Sequence, residues 1–276
     1  MFHCEAHLVR THDLLEIDAK QFISSQPSAP QWVEDNLRKT PFVVVRRGPV
    51  TGREIPIGVR GTERNQRWAG FCPKFANSIL TPQQLLSRAI PTSRADAIPA
   101  LRALNLLKER WKDLVLPWGP GGSVGFEFAS GRHVANPESD LDIVIYADRS
   151  MSAAEAKSLW DRAMNLPAVV DIRVETPVCG FSLKEFASQS LAAILLRAPG
   201  GIVLGTDPWG VELQSVDSNL PAVSSILPSR DTWASSENEF RSADMQINFT
   251  KRSNKVSNPM KSMRVVRLIT QSLCID

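Results

Sequence analysis

The sequence predicts an α/β fold of the α+β type, in which a mixed sheet flanked by helices follows a small β-rich domain. Helical and strand-like apolar patterns alternate from about residue 95 to residue 210, an order typical of α/β proteins. Three strand-like runs separated by turn residues come before them. We therefore predict an N-terminal arginine-rich domain at residues 1–94, a second domain at 95–213, and a disordered segment at 214–276.

Composition excludes several classes of protein. With 43% hydrophobic and 22% charged residues among 276 positions, the chain can bury an ordinary core. A formal net charge of +3 does not demand a nucleic acid as partner. Neither a Cys-x-x-Cys pair nor an apolar run of about 18 residues occurs, so we predict no zinc site and no membrane helix. The N-terminus lacks a secretory pattern, and we expect a soluble cytoplasmic protein.

The N-terminal domain is predicted to contain one early helix and an antiparallel meander. The helix lies at residues 31–39. Strand-like runs follow at residues 41–47, 54–61 and 66–71. Thr81 and Pro82 have the residue types of a helix N-cap and first turn, and Pro91–Arg94 is the predicted hinge.

Arginine is dense in the meander. Any single arginine in this segment is explained by a strand face exposed to solvent, whereas the arginines as a set suit a polyanionic ligand or an acidic protein partner. The sequence does not separate these two uses, and Arg46 and Arg60 are our candidate substrate-binding residues. The whole set is Arg46, Arg47, Arg53, Arg60, Arg64 and Arg67.

The second domain is predicted to alternate helices with strands. Apolar residues three or four apart predict helices at Ala95–Leu114, 124–129, 153–166 and Leu183–Arg197. Trp111 lies in the apolar stripe of the first, and Ser152 is the expected cap of the third. Strands are predicted at Leu116–Trp118, 143–146, 168–174 and 201–204.

Two motifs around the second strand point to phosphate chemistry. Gly121-Gly122-Ser123 forms a turn that offers backbone N–H groups and a hydroxyl without side-chain bulk. Asp140 and Asp142 precede and enter the strand, and residues two apart on a strand point to the same face. Two such carboxylates repel unless cations lie between them, and paired divalent metals are typical of phosphoryl transfer.

Each motif alone has a simpler explanation, because most Asp-x-Asp pairs are solvated and most Gly-Gly-Ser runs are turns or linkers. Their order, from turn through short helix to acidic strand, favours a functional site. Asp171 lies inside a third apolar run, where an unpaired carboxylate is costly. It is the predicted third carboxylate, with Glu175 as a weaker substitute; the alternative is an ion pair of Asp171 with Arg173 or another arginine.

The order of these motifs resembles the nucleotidyltransferase superfamily, and a longer set of segments narrows the resemblance. Similarity extends from about His12 to Trp209. The segments are PFVVVRRG, IPIGVRG, QRWAGF, WGPGGSVGFE, SDLDIVI, VDIRVETP, GFSL and DPW. They resemble malonate decarboxylase holo-[acyl-carrier-protein] synthases, also called phosphoribosyl-dephospho-CoA transferases, whose members end soon after the last segment.

The resemblance implies an activity and a role for each motif. Such enzymes move a prosthetic group from triphosphoribosyl-dephospho-CoA to a serine of the apo acyl carrier protein of malonate decarboxylase, with release of diphosphate. It implies a nucleotidyltransferase-like catalytic domain with two Mg²⁺ ions held by Asp140, Asp142 and Asp171. Gly121, Gly122 and Ser123 would hold the triphosphate. Arg132 and His133, between the motifs, are candidates for the leaving diphosphate.

Two other hypotheses remain open from the sequence. The chain could be another metal-dependent nucleotidyltransferase, acting on a small molecule or on a different protein such as the citrate lyase carrier. A nucleic acid acceptor is disfavoured because only 7% of residues are aromatic. The chain could also be a binding module with a vestigial acidic pair, but the three carboxylates and the Gly-Gly-Ser turn argue against that.

Overall fold

The computed structural model describes residues 9–48, 54–61, 63, 65–73, 76–89, 91–188 and 193–210. The predicted disorder at 214–276 lies outside these residues, as do Arg53 and Arg64. The predicted domain bounds at 1–94, 95–213 and 214–276 remain a prediction. The α+β fold class is confirmed, because two separate sheets are flanked by helices.

The N-terminal sheet is antiparallel throughout its described strands. Its spatial order is β4-β3-β2-β1-β5. The strands are β1 (Leu14–Glu16), β2 (Phe42–Val45), β3 (Glu54–Arg60), β4 (Arg67–Pro73) and β5 (Ser78–Leu80). The predicted meander is therefore present as β2, β3 and β4. The three-residue strands β1 and β5 were not predicted, since they are too short to show a period.

Helices and core residues lie on both faces of this sheet. Helices α1 (Ala19–Ser25) and α2 (Gln31–Lys39) belong to the N-terminal part. Val43 and Val45 alternate with Phe42 and Val44 along β2, so the two pairs face opposite sides. The first pair packs in a core with residues of α1 and α2. The second pair joins a larger core built mainly from the C-terminal half.

The C-terminal sheet is mixed. Its order is β11-β10-β9-β8-β7-β6, and among the described strands β7 and β8 form the one parallel pair. The strands are β6 (Trp118–Pro120), β7 (Leu141–Tyr146), β8 (Val170–Glu175), β9 (Gly180–Ser182), β10 (Ile194–Ala198) and β11 (Gly201–Gly205). Within the described residues, no helix is long and apolar enough to cross a membrane.

Helix α1 was not predicted, whereas the helices from α3 onward agree with the sequence patterns except in two places. These later helices are α3 (Pro82–Leu85), α4 (Thr92–Ala97), α5 (Pro99–Arg110), α6 (Gly122–Ser130), α7 (Ala153–Ala163) and α8 (Leu183–Ala187). Thr81 and Ser152 are N-caps with complete capping boxes, as their residue types predict.

Two helix predictions were wrong. The expected helix at 95–114 is divided into α4 and α5 at Ile98, because a residue before proline is disfavoured in the helical conformation and Pro99 begins a new helix. The expected helix at Leu183–Arg197 ends at Ala187, and β10 begins at Ile194. The apolar residues of β10 pair with β11 instead, so a strand contact overrides their helix-like spacing.

Candidate active site

The glycine-rich turn and the acidic strand lie against one another. The Gly121 N–H donates to the Asp142 carbonyl oxygen at 2.9 Å. Gly122 adopts φ +52°, and a Cβ atom built on it would overlap the carboxylate of Asp142. Glycine is therefore required at residue 122 for two reasons, the left-handed backbone conformation and the close approach of the Asp142 carboxylate. The turn places the start of α6 directly beside Asp142.

The N-terminus of α6 has the features of an anion site. No side chain caps this nine-residue helix, so the N–H groups of its first turn remain available to a ligand. Ser123 is buried within that turn, and its hydroxyl makes no hydrogen bond to another described residue. Since the Gly121 N–H is used by Asp142, the first-turn N–H groups beyond Gly121 are the candidates for phosphate.

Strand pairing brings two of the three predicted carboxylates together. Asp142 is directly opposite Asp171 in the parallel register of β7 and β8, so their side chains point to the same face. Asp140 lies two residues earlier and is exposed, whereas Asp142 and Asp171 are partly buried. Glu175 lies opposite Tyr146 at the other end of the pairing, which removes it as a substitute for Asp171.

The electrostatic environment of Asp142 is unfavourable for its own charge. Burial is the largest effect and, with the charges of Asp140 and Asp171, raises the pKa of Asp142 to about 6. The positive charges of Arg60 and His12 partly offset this rise. Since Arg60 and His12 belong to the N-terminal part of the chain, both halves contribute to the field at Asp142.

Asp171 is engaged by a neighbouring arginine. The Arg173 Nη2 group donates to Asp171 Oδ2 at 3.0 Å. The ion pair considered as the alternative for Asp171 is thus present beside the acidic cluster. The pair does not remove Asp171 from the cluster, because its charge still raises the pKa of Asp142.

The candidate arginines of the N-terminal sheet have different surroundings. Arg60 is exposed at the end of β3, and its guanidinium has no hydrogen bond or ion pair to another described residue. Arg46 is partly buried, and burial lowers its pKa. The charge of Arg60 acts on Asp142, so Arg60 is the better placed of the two for a phosphate in the acidic site.

Arg132 and His133 lie in the exposed loop between α6 and β7. The Arg132 Nη1 group donates to the carbonyl oxygen of Lys39, at the end of α2, at 3.3 Å. The structure therefore directs Arg132 to the N-terminal half and gives no contact of Arg132 or His133 with the described carboxylates. Their assignment to the leaving diphosphate remains a prediction.

A second polar cluster lies at the far end of β8 and was not predicted. Glu175 is buried and accepts hydrogen bonds from His12 Nε2, at 3.0 Å, and from Arg47. Burial alone raises the pKa of Glu175, but the His12 hydrogen bond and the charges of His12 and Arg47 outweigh it and lower the pKa. The available signal was the alternation of Asp171, Arg173 and Glu175 on one strand face.

Comparison with known proteins identifies the family. The family model described as phosphoribosyl-dephospho-CoA transferase MdcG, N-terminal domain, matches residues 10–76, and the corresponding C-terminal domain matches residues 86–208. A phosphoribosyl-dephospho-CoA transferase of Pseudomonas aeruginosa is 36% identical over 200 residues, covering 72% of this chain and 93% of the relative. This chain belongs to the phosphoribosyl-dephospho-CoA transferase family.

Other relatives carry the same name. A phosphoribosyl-dephospho-CoA transferase of Azotobacter vinelandii is 35% identical, covering 73% of this chain and 95% of the relative. One from Klebsiella pneumoniae is 32% identical, covering 72% of this chain and 96% of the relative. No solved structure matches the chain. The protein is accordingly a transferase enzyme.

Both matched segments of this phosphoribosyl-dephospho-CoA transferase contribute to the site. His12, Arg47 and Arg60 lie in the N-terminal match, whereas the turn and the three aspartates lie in the C-terminal match. The contacts of Glu175 with His12 and Arg47 cross between the two matches. The N-terminal sheet is thus part of the candidate active site.

The carboxylates suit a hard divalent cation. The negative charges of Asp140 and Asp171 make ionisation of Asp142 less favourable and raise its pKa. A cation between the carboxylates would relieve this repulsion, and oxygen donors are the ligands that Mg²⁺ prefers. Within the described residues, no three His, Cys, Asp or Glu side chains form a preassembled metal-ligand set. Mg²⁺ commonly needs one or two carboxylates together with substrate phosphates, so the donors present fit an ion that arrives with a phosphate.

Proposed function

We propose that the enzyme transfers the 2'-(5''-phosphoribosyl)-3'-dephospho-CoA group from its triphosphate precursor to a serine of the apo acyl carrier protein of malonate decarboxylase, releasing diphosphate. The family supports the donor, because the relatives are named phosphoribosyl-dephospho-CoA transferases. The observation that carries the proposal is the packing of Gly122 against the Asp142 carboxylate. It joins an anion-binding helix terminus to a cluster that requires cations.

Asp140, Asp142 and Asp171 are the residues that we propose hold Mg²⁺, as two ions. The bound metal would neutralise charge on the phosphate oxygens and on the leaving diphosphate. This role explains why an acidic cluster with a raised Asp142 pKa faces a phosphate site. It also agrees with the position of Asp140, which is exposed at the start of β7.

The protein groups around the aspartates orient the donor. The first-turn N–H groups of α6 and the Ser123 hydroxyl bind phosphate oxygens of the triphosphate. The Arg60 guanidinium neutralises negative charge that develops on the departing diphosphate. The serine oxygen of the carrier forms a bond to the phosphorus nearest the ribose while the bond from that phosphorus to the diphosphate breaks. The serine proton must leave at the same time.

Mass spectrometry of the acceptor tests the proposal. Apo malonate decarboxylase carrier protein is incubated with the enzyme, Mg²⁺ and triphosphoribosyl-dephospho-CoA, and citrate lyase carrier protein is treated in parallel. We expect the first carrier to gain the mass of the precursor minus diphosphate. A gain by the citrate lyase carrier alone would reassign the acceptor, and no gain by either carrier with folded enzyme would contradict the proposal.

Matched variants connect the reaction to the site. Asp142→Asn removes a proposed metal ligand, and we expect no mass gain. Asp161→Asn is the control, because Asp161 is exposed on α7 and pairs only with Lys157 among the described residues. That control should transfer at the rate of the unaltered enzyme. Omission of Mg²⁺ should have the same effect as Asp142→Asn.

A further inference from the structure

His12 is held in an unusual conformation between the two sheets. Its φ of 76° lies in the left-handed region, which is uncommon for a residue other than glycine. Neighbouring backbone contacts fix it: the His12 N–H donates to the Val45 carbonyl oxygen at 2.9 Å, and the Val45 N–H donates to Asp13 at 2.8 Å. Backbone strain of this kind is retained most often at functional sites.

The imidazole ring is fixed as firmly as the backbone. The His12 side chain is 16% exposed, and its partner Glu175 is 8% exposed. Arg47 holds the other oxygen of that carboxylate. When the neutral ring donates Nε2–H to Glu175, Nδ1 carries the lone pair. No other described residue hydrogen-bonds to Nδ1, so this nitrogen can accept a proton.

The ring lies on the same face of the C-terminal sheet as the acidic cluster, because its partner Glu175 is four residues from Asp171 on β8 and alternate residues of a strand share a face. The charge of His12 lowers the pKa of Asp142, so the two side chains are electrostatic neighbours. The charged groups around the ring are Asp13 on its own loop, Arg47 after β2, Asp142 on β7 and Glu175 on β8. A carboxylate that orients a histidine beside a reacting centre is the arrangement by which many enzymes activate a hydroxyl.

Asp171 is the competing candidate for this role. Its carboxylate accepts a hydrogen bond from Arg173, and it is also a proposed metal ligand. Arg173 and a metal ion would both occupy carboxylate oxygens that Asp171 needs to accept the proton. The proposed reaction leaves one proton to be removed, and His12 has the free nitrogen and the orienting partner for it.

We infer that His12, oriented by Glu175, accepts the proton of the acceptor hydroxyl during transfer. This inference rests on the proposed function. The hydroxyl oxygen forms its bond to phosphorus, the bond to the diphosphate breaks with its electron pair, and the hydroxyl proton moves to Nδ1 of His12. Glu175 is a positioning residue, since it acts through the ring, and Arg47 keeps Glu175 ionised and in place.

Chemical rescue tests the role of His12. His12→Gly suits the left-handed backbone and opens space for added imidazole. We expect turnover to fall by about 100- to 1000-fold, the usual contribution of a proton acceptor, with the KM for the donor unchanged within a few-fold. Imidazole should restore turnover, and more basic substituted imidazoles should restore more. Diphosphate release to water, followed in parallel, makes the test independent of the carrier.

The matched control is Asn165→Gly. Within the described residues, His12 and Asn165 are the non-glycine residues with positive φ. Asn165 lies after α7, outside the site, so this variant should keep full turnover and be unaffected by imidazole. Glu175→Gln should lower turnover about tenfold, because an amide does not fix the ring tautomer.

The outcomes separate the inference from the proposed function. Turnover of His12→Gly within twofold of the unaltered enzyme would overturn the inference, as would a loss that no imidazole restores in a protein that melts normally. If His12→Gly does not fold, His12→Asn replaces it, because asparagine tolerates the left-handed region. Full turnover by the His12→Asn enzyme then overturns the inference, and loss of its turnover supports it. Absence of carrier labelling by the unaltered enzyme, with normal diphosphate release, counts against the acceptor and not against His12.

Discussion

Asp142 has an electrostatic cost in the folded protein that the proposed metal site would explain. Burial and two neighbouring aspartates raise its pKa from 3.8 to about 6. The neutral form is therefore favoured by folding, and the associated stability is fully present below about pH 4. That stability is lost as the pH rises through about 6. A protein without cations should consequently lose stability across this interval, and Mg²⁺ should restore part of it at neutral pH.

Asp142→Asn should abolish transfer and stabilise the fold. At pH 7.5 without Mg²⁺, the free energy of unfolding should rise by at most about 3 kcal/mol, because about two pKa units of unfavourable ionisation are removed. Urea denaturation measures the change, with EDTA present. Asp161→Asn should change the free energy by no more than about 0.5 kcal/mol. A less stable Asp142→Asn protein would contradict the account of Asp142 as a strained carboxylate.

Gly122→Ala should disrupt the site through a clash and not through backbone strain alone. Its Cβ would overlap the Asp142 carboxylate, whereas a Cβ on Gly131, at φ +69°, meets nothing within 4 Å. Gly131→Ala therefore carries only the left-handed cost of about 1–2 kcal/mol and should keep its activity. Gly122→Ala should lose transfer and more stability than Gly131→Ala. Equal effects of the two, measured by denaturation and carrier labelling, would show that the contact with Asp142 is unimportant.

Residues of the site were predictable where the signal was local. The aspartates and the Gly-Gly-Ser turn follow from spacing on one strand and one turn, and the structure brings them together. The contacts of His12 and Arg47 with Glu175 escaped prediction because Glu175 is 163 and 128 positions away from them in the chain. The alternation of Asp171, Arg173 and Glu175 marks the strand face on which the cluster lies, but no local pattern specifies its contacts with the other sheet.

At the scale of elements, an internal ion pair shapes the loop that leads to the acidic strand. Glu127 on α6 is buried and accepts two hydrogen bonds from Arg94 of α4, at 2.9 and 2.8 Å. It also accepts from the N–H groups of Val134 and Ala135. Burial raises the pKa of Glu127, but these hydrogen bonds outweigh it and lower the pKa. The loop after α6 is thereby tied to α4.

Arg94→Met should test this tie, because it leaves Glu127 buried without its cation. Breaking a buried pair typically costs about 3–5 kcal/mol, and the pair's side chains are only 16% and 8% exposed. Arg38→Met is the matched control, since the Arg38–Glu34 pair is 53% and 31% exposed. Its loss should cost no more than about 1 kcal/mol. Similar losses for both variants in urea denaturation would refute a structural role for Arg94.

Elements were predictable where capping and periodicity agreed. Thr81 and Ser152 both form capping boxes with the residue three positions later. The segment from Leu183 to Arg197 failed because its apolar spacing suits a helix, yet Ile194–Ala198 gains an antiparallel partner in β11. Strand pairing is a non-local interaction, and local propensity cannot anticipate it.

At the scale of the whole molecule, the family segments end before the chain does. The family models stop at residue 208, and the relatives are covered over 93–96% of their own length while matching 72–73% of this chain. Described residues at this boundary pack against the fold. Trp209 is one of them: its Nε1–H donates to the Ala147 carbonyl oxygen at 2.8 Å, and its ring lies 5.4 Å from that of Phe181.

Removal of residues 214–276 should therefore leave transfer unchanged. The truncated protein keeps every residue of the proposed site and the Trp209 contacts, so its turnover should stay within about twofold of the full chain. Removal of residues 206–276 is the matched comparison, because it also deletes Trp209 and the Pro208 carbonyl that accepts from Thr176. That deletion should cost on the order of 3 kcal/mol, the low end of the range for loss of a large aromatic side chain, because Trp209 is only partly buried. Loss of folded protein on the shorter deletion would show that the fold extends beyond the family segments, whereas the predicted pair of results would place its boundary between Gly205 and residue 214.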